Sequence, residues 1–173
     1  MLSKKMISLL SEQVKNEFES AYLYLIAADY FHSEGLPGFA SWYINHSKEE
    51  VEHAMIFYDY IHRNNERVQF FNLEPTRTIY SSLTKPLEDT IVHEDFITTC
   101  INQIYEVAAK EKDYRTTNFL TWFITEQQEE EEKERKRLKK EGRKSFAVRK
   151  AEKKAEKLIA DYEETYQRVC SFF

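Results

Sequence analysis

The stretch Asn45-His46-Ser47-Lys48-Glu49-Glu50-Val51-Glu52-His53 decides how the whole chain is read. Glu50 and His53 are one helical turn apart, so on a helix both side chains leave from the same face. That suits two donors to one metal ion. Asp29-x-x-His32 and Asp59-x-x-His62 share the spacing, so the motif alone does not choose among the three.

Register makes the choice. Residues 38–64 predict a helix whose stripe is Phe39, Tyr43, His46, Glu50, His53, Phe57 and Tyr60. The spacing alternates four and three, the seam of a helical bundle. Glu50 and His53 lie in that seam, whereas Asp59-x-x-His62 and Asp29-x-x-His32 lie beside theirs. Residues 4–33 predict a first helix with the seam Leu10, Val14, Glu17, Ala21, Tyr24, Ala28, Phe31, closed by Gly35-Leu36-Pro37-Gly38. Residues 66–86 hold Pro75 and Pro86 and no long period, so they predict a loop able to run the length of a bundle. Residues 87–115 predict a third helix with the approximate seam Leu87, Ile91, Glu94, Ile97, Ile101, Ile104, Ala108. A fourth begins near Thr117 with Leu120, Phe123, Gln127 and Glu130. The expected fold is all-α: a four-helix up-down bundle with one long crossover loop, over residues 1–145. A C-terminal helical segment, 146–173, would add a further helix at 146–171.

One acid per helix therefore occupies the seam: Glu17, Glu50, Glu94 and Glu130. Burying one unpaired carboxylate costs several kcal/mol, and burying four together adds mutual repulsion. Cations resolve the conflict. Two divalent ions balance four carboxylates, and carboxylate and imidazole donors suit iron, manganese or zinc. Position assigns Glu17, Glu50 and His53 to one ion. Glu50 would bridge, and Glu94 and Glu130 would complete the second. Gln127 reads as a hydrogen-bonding neighbour or weak ligand. Tyr24 reads as a core aromatic, or as a phenol that donates a hydrogen bond or an electron. Glu49, Glu126 and Glu129 flank the seam, as a solvated acidic face or as a third metal site. His46 and His93 read as structural neighbours of the ligands.

Composition bounds the rest. The 173 residues include only three Gly and three Pro, which favours long helices. Two cysteines fit a reducing cytosol, and the expected location is cytoplasmic. The first residues read as no signal peptide, and no apolar run approaches membrane-spanning length. The net charge of −5 is uneven. Residues 1–132 carry 11 Lys+Arg against 23 Asp+Glu, and residues 133–157 carry 13 against 4. The basic run begins where the fourth seam loses its apolar residues.

Over residues 1–132 the chain resembles the bacterial non-haem ferritins. The resemblance rests on the spacing Glu17, Glu50-x-x-His53, Glu94, Gln127, Glu130. Leu10-Ser11-Glu12-Gln13-Val14, His93-Glu94 and Asn118-Phe119-Leu120-Thr121-Trp122-Phe123 add to it. It implies a ferroxidase: Fe²⁺ is oxidised by O₂ or peroxide at a dinuclear iron site, and ferric product is stored as mineral. It implies a third iron site at Glu49, Glu126, Glu129 and Glu130, aromatic neighbours Tyr24 and Trp122, and a homo-oligomeric shell normally of 24 subunits. Lys133 stands where bacterioferritins repeat Glu-x-x-His, and Val51-Glu52 where they carry a haem-ligating Met, so no haem is expected. The chain departs from the family at about Lys133, where the resemblance no longer implies the fifth-helix contacts of the shell. Two other readings remain at this stage: a diiron protein that stores nothing, and an interaction or nucleic-acid-binding protein using the basic 133–157 segment.

Overall fold

The computed structural model describes residues 1–74, 79–133, 135–136 and 138–140. Its regular structure among those residues is entirely helical: α1 (Lys4–Ser33), α2 (Pro37–Arg63), α3 (Lys85–Lys110) and α4, which begins at residue 114. The chain divides into two compact units, residues 1–134 and 135–173. Of the second, residues 135–136 and 138–140 are described, all helical and none buried. The boundary expected at 145/146 and the helix expected at 146–171 lie outside the described residues.

Each boundary has a local cause. Ser3 caps α1 by accepting from the Met6 amide at 3.1 Å. Gly35 ends it in the left-handed region (φ 70°), and the Leu36 amide turns back to the Phe31 carbonyl at 2.9 Å. Asn65 (φ 60°) ends α2 in the same way. α3 ends five residues before the expected 115, because Lys112 takes the left-handed conformation (φ 59°) usually left to Gly or Asn. Asp113 then opens α4 three residues before the expected Thr117. Its carboxylate accepts from the Thr116 amide at 3.2 Å and the Thr116 hydroxyl at 2.5 Å.

Side-chain bonds give the directions of the helices. α1 and α2 are antiparallel across the tight turn at Gly35. Tyr43 on the first half of α2 meets Thr90 on the first half of α3 at 3.1 Å, so these two run parallel. The crossover loop makes that possible by travelling back along α1. The Gln69 amide donates to Ser11 Oγ at 3.0 Å, and the Glu74 amide to Glu19 Oε1 at 2.8 Å. Those acceptors lie eight residues apart, about 12 Å of helix. α4 returns antiparallel to α2 and α3, tied to α2 by Tyr60–Thr116 at 2.8 Å and to α3 by Thr98–Glu131 at 2.8 Å.

The interior has two apolar halves. One holds Met6, Leu10, Phe57, Ile61, Ile101 and Ile104 among others. The other is aromatic: Phe31 stacks on Phe39 and Tyr43, and Tyr30 packs on Tyr80. Between them lies a polar layer of buried Glu17, Glu50, His53, Glu94, Gln127 and Glu130. The apolar face of α4 ends there, and no described residue after Glu130 is buried.

Candidate metal centre

Regular α-helix carries the acids inward, because each replaces an apolar residue in its helix's seam. The four seam acids and His53 converge. Ligand atoms of Glu17, Glu50 and His53 lie within 4.8 Å of one another, and so do those of Glu50, Glu94 and Glu130. Glu50 belongs to both groups, the arrangement in which one carboxylate can bridge two cations. All five residues are buried.

The hydrogen bonds are distributed unequally. Glu94 is held at both oxygens: the Tyr24 hydroxyl donates to Oε1, and Gln127 Nε2 donates to Oε2 at 2.9 Å. Glu17 is held at one, where Gln13 Nε2 donates to Oε1 at 2.8 Å. His53 Nδ1 lies 3.2 Å from Glu50 Oε2. Glu17 Oε2 and Glu130 Oε2 are buried and have no hydrogen-bond partner. Two bare carboxylate oxygens in a closed interior call for positive charge.

Electrostatics agree. Burial, then the Glu50 charge, raises the Glu17 carboxyl well above its ordinary range. Glu50 is raised in the same sense by burial and by the charge of Glu130. Burial, then Glu94, lifts Glu130 from 4.5 to about 8. Without a cation the layer holds protons, and a divalent ion would displace them.

The flanking residues separate. Glu49 joins His46 and Glu130 in a third group whose ligand atoms lie within 4.8 Å of one another. His46 Nδ1 bonds Glu49 Oε2. Glu126 is half-buried and acts on Glu50 and Glu130 through its charge. Glu129 is exposed and pairs with Lys133 at 3.7 Å. Among the described residues neither Glu126 nor Glu129 enters a metal-capable group. Trp122 packs edge-on against His53, with ring centres 5.6 Å apart.

Sequence reading treated His46 as structural and passed over Gln13. Both signals were present. His46 is a seam residue one turn before Glu50, and Gln13 is one turn before Glu17 on the same helix. His93, also read as structural, is half-buried with Nε2 2.6 Å from Ser20 Oγ. Burial lowers it to about 4, so it is neutral and adds no positive charge to the layer.

A helical bundle with an interior belt of inward carboxylates defines a class of metal-handling proteins. Residues 7–143 match the Ferritin-like domain, and the chain belongs to the ferritin family. It is 37% identical over 129 residues to the bacterial non-heme ferritin of Staphylococcus epidermidis, covering 75% of this chain and 78% of that one. The bacterial non-heme ferritin of Campylobacter jejuni is 36% identical over 75% of this chain and 77% of its own. Among solved structures, an open pore ferritin from the archaeon Archaeoglobus fulgidus superposes with a TM-score of 0.78 at 37% identity, covering 80% and 86% of the two chains. The Chlorobium tepidum ferritin gives 0.79 at 34% identity, covering 81% and 85%. The family stores iron. No helix among the described residues is long and apolar enough to cross a membrane.

Proposed function

We propose that the chain is a ferroxidase that oxidises Fe²⁺ at a dinuclear site within one bundle and stores the ferric product. The observation that carries this reading is the pair of overlapping buried triads that share Glu50. Glu17, Glu50 and His53 receive one Fe²⁺, and Glu50, Glu94 and Glu130 the other. Tyr24 and Gln127 each hold one oxygen of Glu94 in place. Each Fe²⁺ gives one electron to O₂, which leaves with two protons as hydrogen peroxide. Protons displaced from the raised carboxyls on metal entry are available for that step. His46 and Glu49, with Glu130, form a third position on the exposed side of the pair.

Storage needs a container, and the proposed container is a homo-oligomer. Tyr22, Leu25, Val51 and Leu73 line an open apolar groove formed by α1, α2 and the crossover loop, and all four are exposed. A second copy of the chain would bury them. The cytoplasm, where iron is ferrous and thiols stay reduced, is the compartment this chemistry needs.

The test is an anaerobic Fe²⁺ titration followed by O₂, with particle size measured on the same sample. At least two irons per chain and rapid oxidation are expected. Glu50→Ala should slow oxidation about 100-fold, roughly 2.7 kcal/mol in the barrier, because it removes a ligand from both positions. Unchanged oxidation in that variant, with the helices intact by circular dichroism, overturns the site. A particle the size of one chain removes storage and leaves the ferroxidase.

A further inference from the structure

The charge of the chain changes sign at Lys133. Residues 1–132 carry 11 Lys+Arg against 23 Asp+Glu, and residues 133–157 carry 13 against 4. If each of those four acids paired with a cation of the segment, nine positive charges would be left over. Lys133 meets Glu129 at 3.7 Å. Beyond it, the described residues 135–136 and 138–140 are helical. Arg135, Lys136, Lys139 and Lys140 are exposed, and Leu138 is half-buried. At about 100° per residue these four cations share an arc of about 140°, and Leu138 falls outside it. The stretch 135–140 contains no acid.

We propose that the segment starting at Lys133 binds the phosphate backbone of a nucleic-acid duplex without reading its sequence. The proposal is independent of the ferroxidase reading. Two kinds of anion could answer the surplus: the acidic surface of another copy, or a polyanion. Exposed Lys–Glu pairs are worth about 0–1 kcal/mol each and are screened by salt. Glu17, Glu50, Glu94 and Glu130 are buried in the polar layer and cannot take part. A duplex instead carries one charge per about 1.7 Å, with condensed counterions whose release drives binding. From residue 135 to residue 140 is about 7.5 Å of helix, so the four described cations lie one per about 2 Å of axis. The two charge densities match.

Residue types fix the mode. Nine of the thirteen cations are Lys, a point charge that suits a phosphate better than a paired base edge. Residues 133–157 hold no Asn or Gln to read adenine, and Phe146 is their one aromatic residue. They therefore lack the stacking platform that a single strand needs. The acidic residues 1–132 repel the same polyanion, which confines contact to the basic segment.

The test uses the full chain in chelator, so that no metal ion bridges its carboxylates to phosphate. Fluorescence anisotropy is read with a DNA duplex of about 20 base pairs, a scrambled DNA duplex, an RNA duplex of the first sequence, and a single strand of oligothymidine. Both DNA sequences should bind within about twofold of each other. Raising salt from about 50 to about 200 mM should weaken binding at least 100-fold, the mark of about four neutralised phosphates. Binding of one duplex type alone names the nucleic acid, and binding of both places recognition in the phosphates they share. Lys136→Gln, Lys139→Gln and Lys140→Gln together should weaken binding at least tenfold and flatten the slope of log affinity against log salt by about 2.7. The same three positions changed to Arg should keep the wild-type slope. Lys4→Gln, Lys5→Gln and Lys110→Gln together, which remove as much charge from exposed positions elsewhere, should leave binding unchanged. Failure of both duplex types to bind at about 50 mM salt overturns the proposal, as does an equal loss in the two Gln sets, which would mark net charge. Tighter binding of oligothymidine than of duplex overturns the duplex preference. A duplex that cannot displace the protein from phosphatidylserine–phosphatidylcholine vesicles overturns the proposal in favour of a lipid surface.

Discussion

Replacing Glu130 by Gln should stabilise the metal-free protein, and the gain should grow with pH. Glu130 is buried, its Oε2 has no partner, and its pKa is raised from 4.5 to about 8 by burial and by Glu94. A carboxyl raised in the folded state binds more protons folded than unfolded between those two values. Its stabilising share is therefore complete below about pH 4.5 and is lost as pH rises through about 8. At about 1.36 kcal/mol per unit, the cost of keeping Glu130 grows from under about 1 kcal/mol at pH 5 to about 4 kcal/mol at pH 8. Gln has the shape of the protonated acid and carries no such cost. The assay is urea unfolding of chelator-treated wild type and Glu130→Gln at both pH values. His93 has the opposite slope, because its lowered pKa costs stability as pH falls from 6.5 towards 4. Both proteins contain His93, so it cancels in the difference. A difference that stays flat from pH 5 to pH 8 refutes the reasoning, because Glu130 would then ionise in the folded protein without penalty. Saturating Zn²⁺ should reverse the order and make wild type the more stable, since the ion takes the place of the protons.

Three further outcomes are expected. Gln13→Leu removes the hydrogen bond that Gln13 donates to Glu17 Oε1, and anaerobic Fe²⁺ or Co²⁺ titration should show binding at that position weakened by about 10- to 100-fold with the helical spectrum unchanged. In the metal-free protein the His93 ring should remain neutral down to about pH 4, read from its nitrogen chemical shifts. A His93 midpoint near 6.5 would show that the contact with Ser20 is open to water. Leu25→Glu puts a charge into the exposed apolar groove, and light scattering should report a smaller particle than wild type with iron oxidation retained.

Much of this architecture is legible from seam register. Glu17, Glu50, Glu94 and Glu130 each interrupt an apolar stripe, and a stripe with a 3.5-residue mean spacing leaves little freedom about where its members point. The whole polar layer follows, including His53 and Gln127. The end of α3 and the start of α4 are less legible. Lys112 adopts a left-handed backbone with no residue-type signal, and the Asp113 cap matters only once that turn exists. The path of the crossover loop is also hidden, because its anchors are Ser11 and Glu19 on a distant helix accepting from loop amides. Pairing within the acidic fringe is hidden for another reason. Glu49, Glu126 and Glu129 look alike in sequence, yet among the described residues only Glu49 enters a metal-capable group with Glu130, and it brings His46 with it.

The unequal treatment of the carboxylates says what the layer lacks. Glu94 has donors at both oxygens, whereas Glu17 and Glu130 each keep one bare. A chain selected only for stability would supply donors there or replace the acids by apolar residues, which is often neutral or stabilising at buried ionic positions. The cost is large against the core that supports it. About 4 kcal/mol at Glu130 alone cancels the burial of roughly two large apolar side chains, at about 1.5–3 kcal/mol each. The apolar half built from Met6, Leu10, Phe57, Ile61, Ile101 and Ile104 can carry that load because it lies on one side of the layer and is continuous across all four helices. On the other side no described residue of α4 after Glu130 is buried. Metal binding therefore does most for the aromatic half of the bundle, where no described residue of α4 is buried, by tying Glu130 to Glu17, Glu50 and Glu94 across all four helices. Amide hydrogen exchange should show this directionally: added Zn²⁺ should protect residues 39–47 of α2 and 87–94 of α3, on the aromatic side of the layer, more than the Met6–Leu10 turn of α1. Equal protection of both would mean that the layer and the core open as one unit.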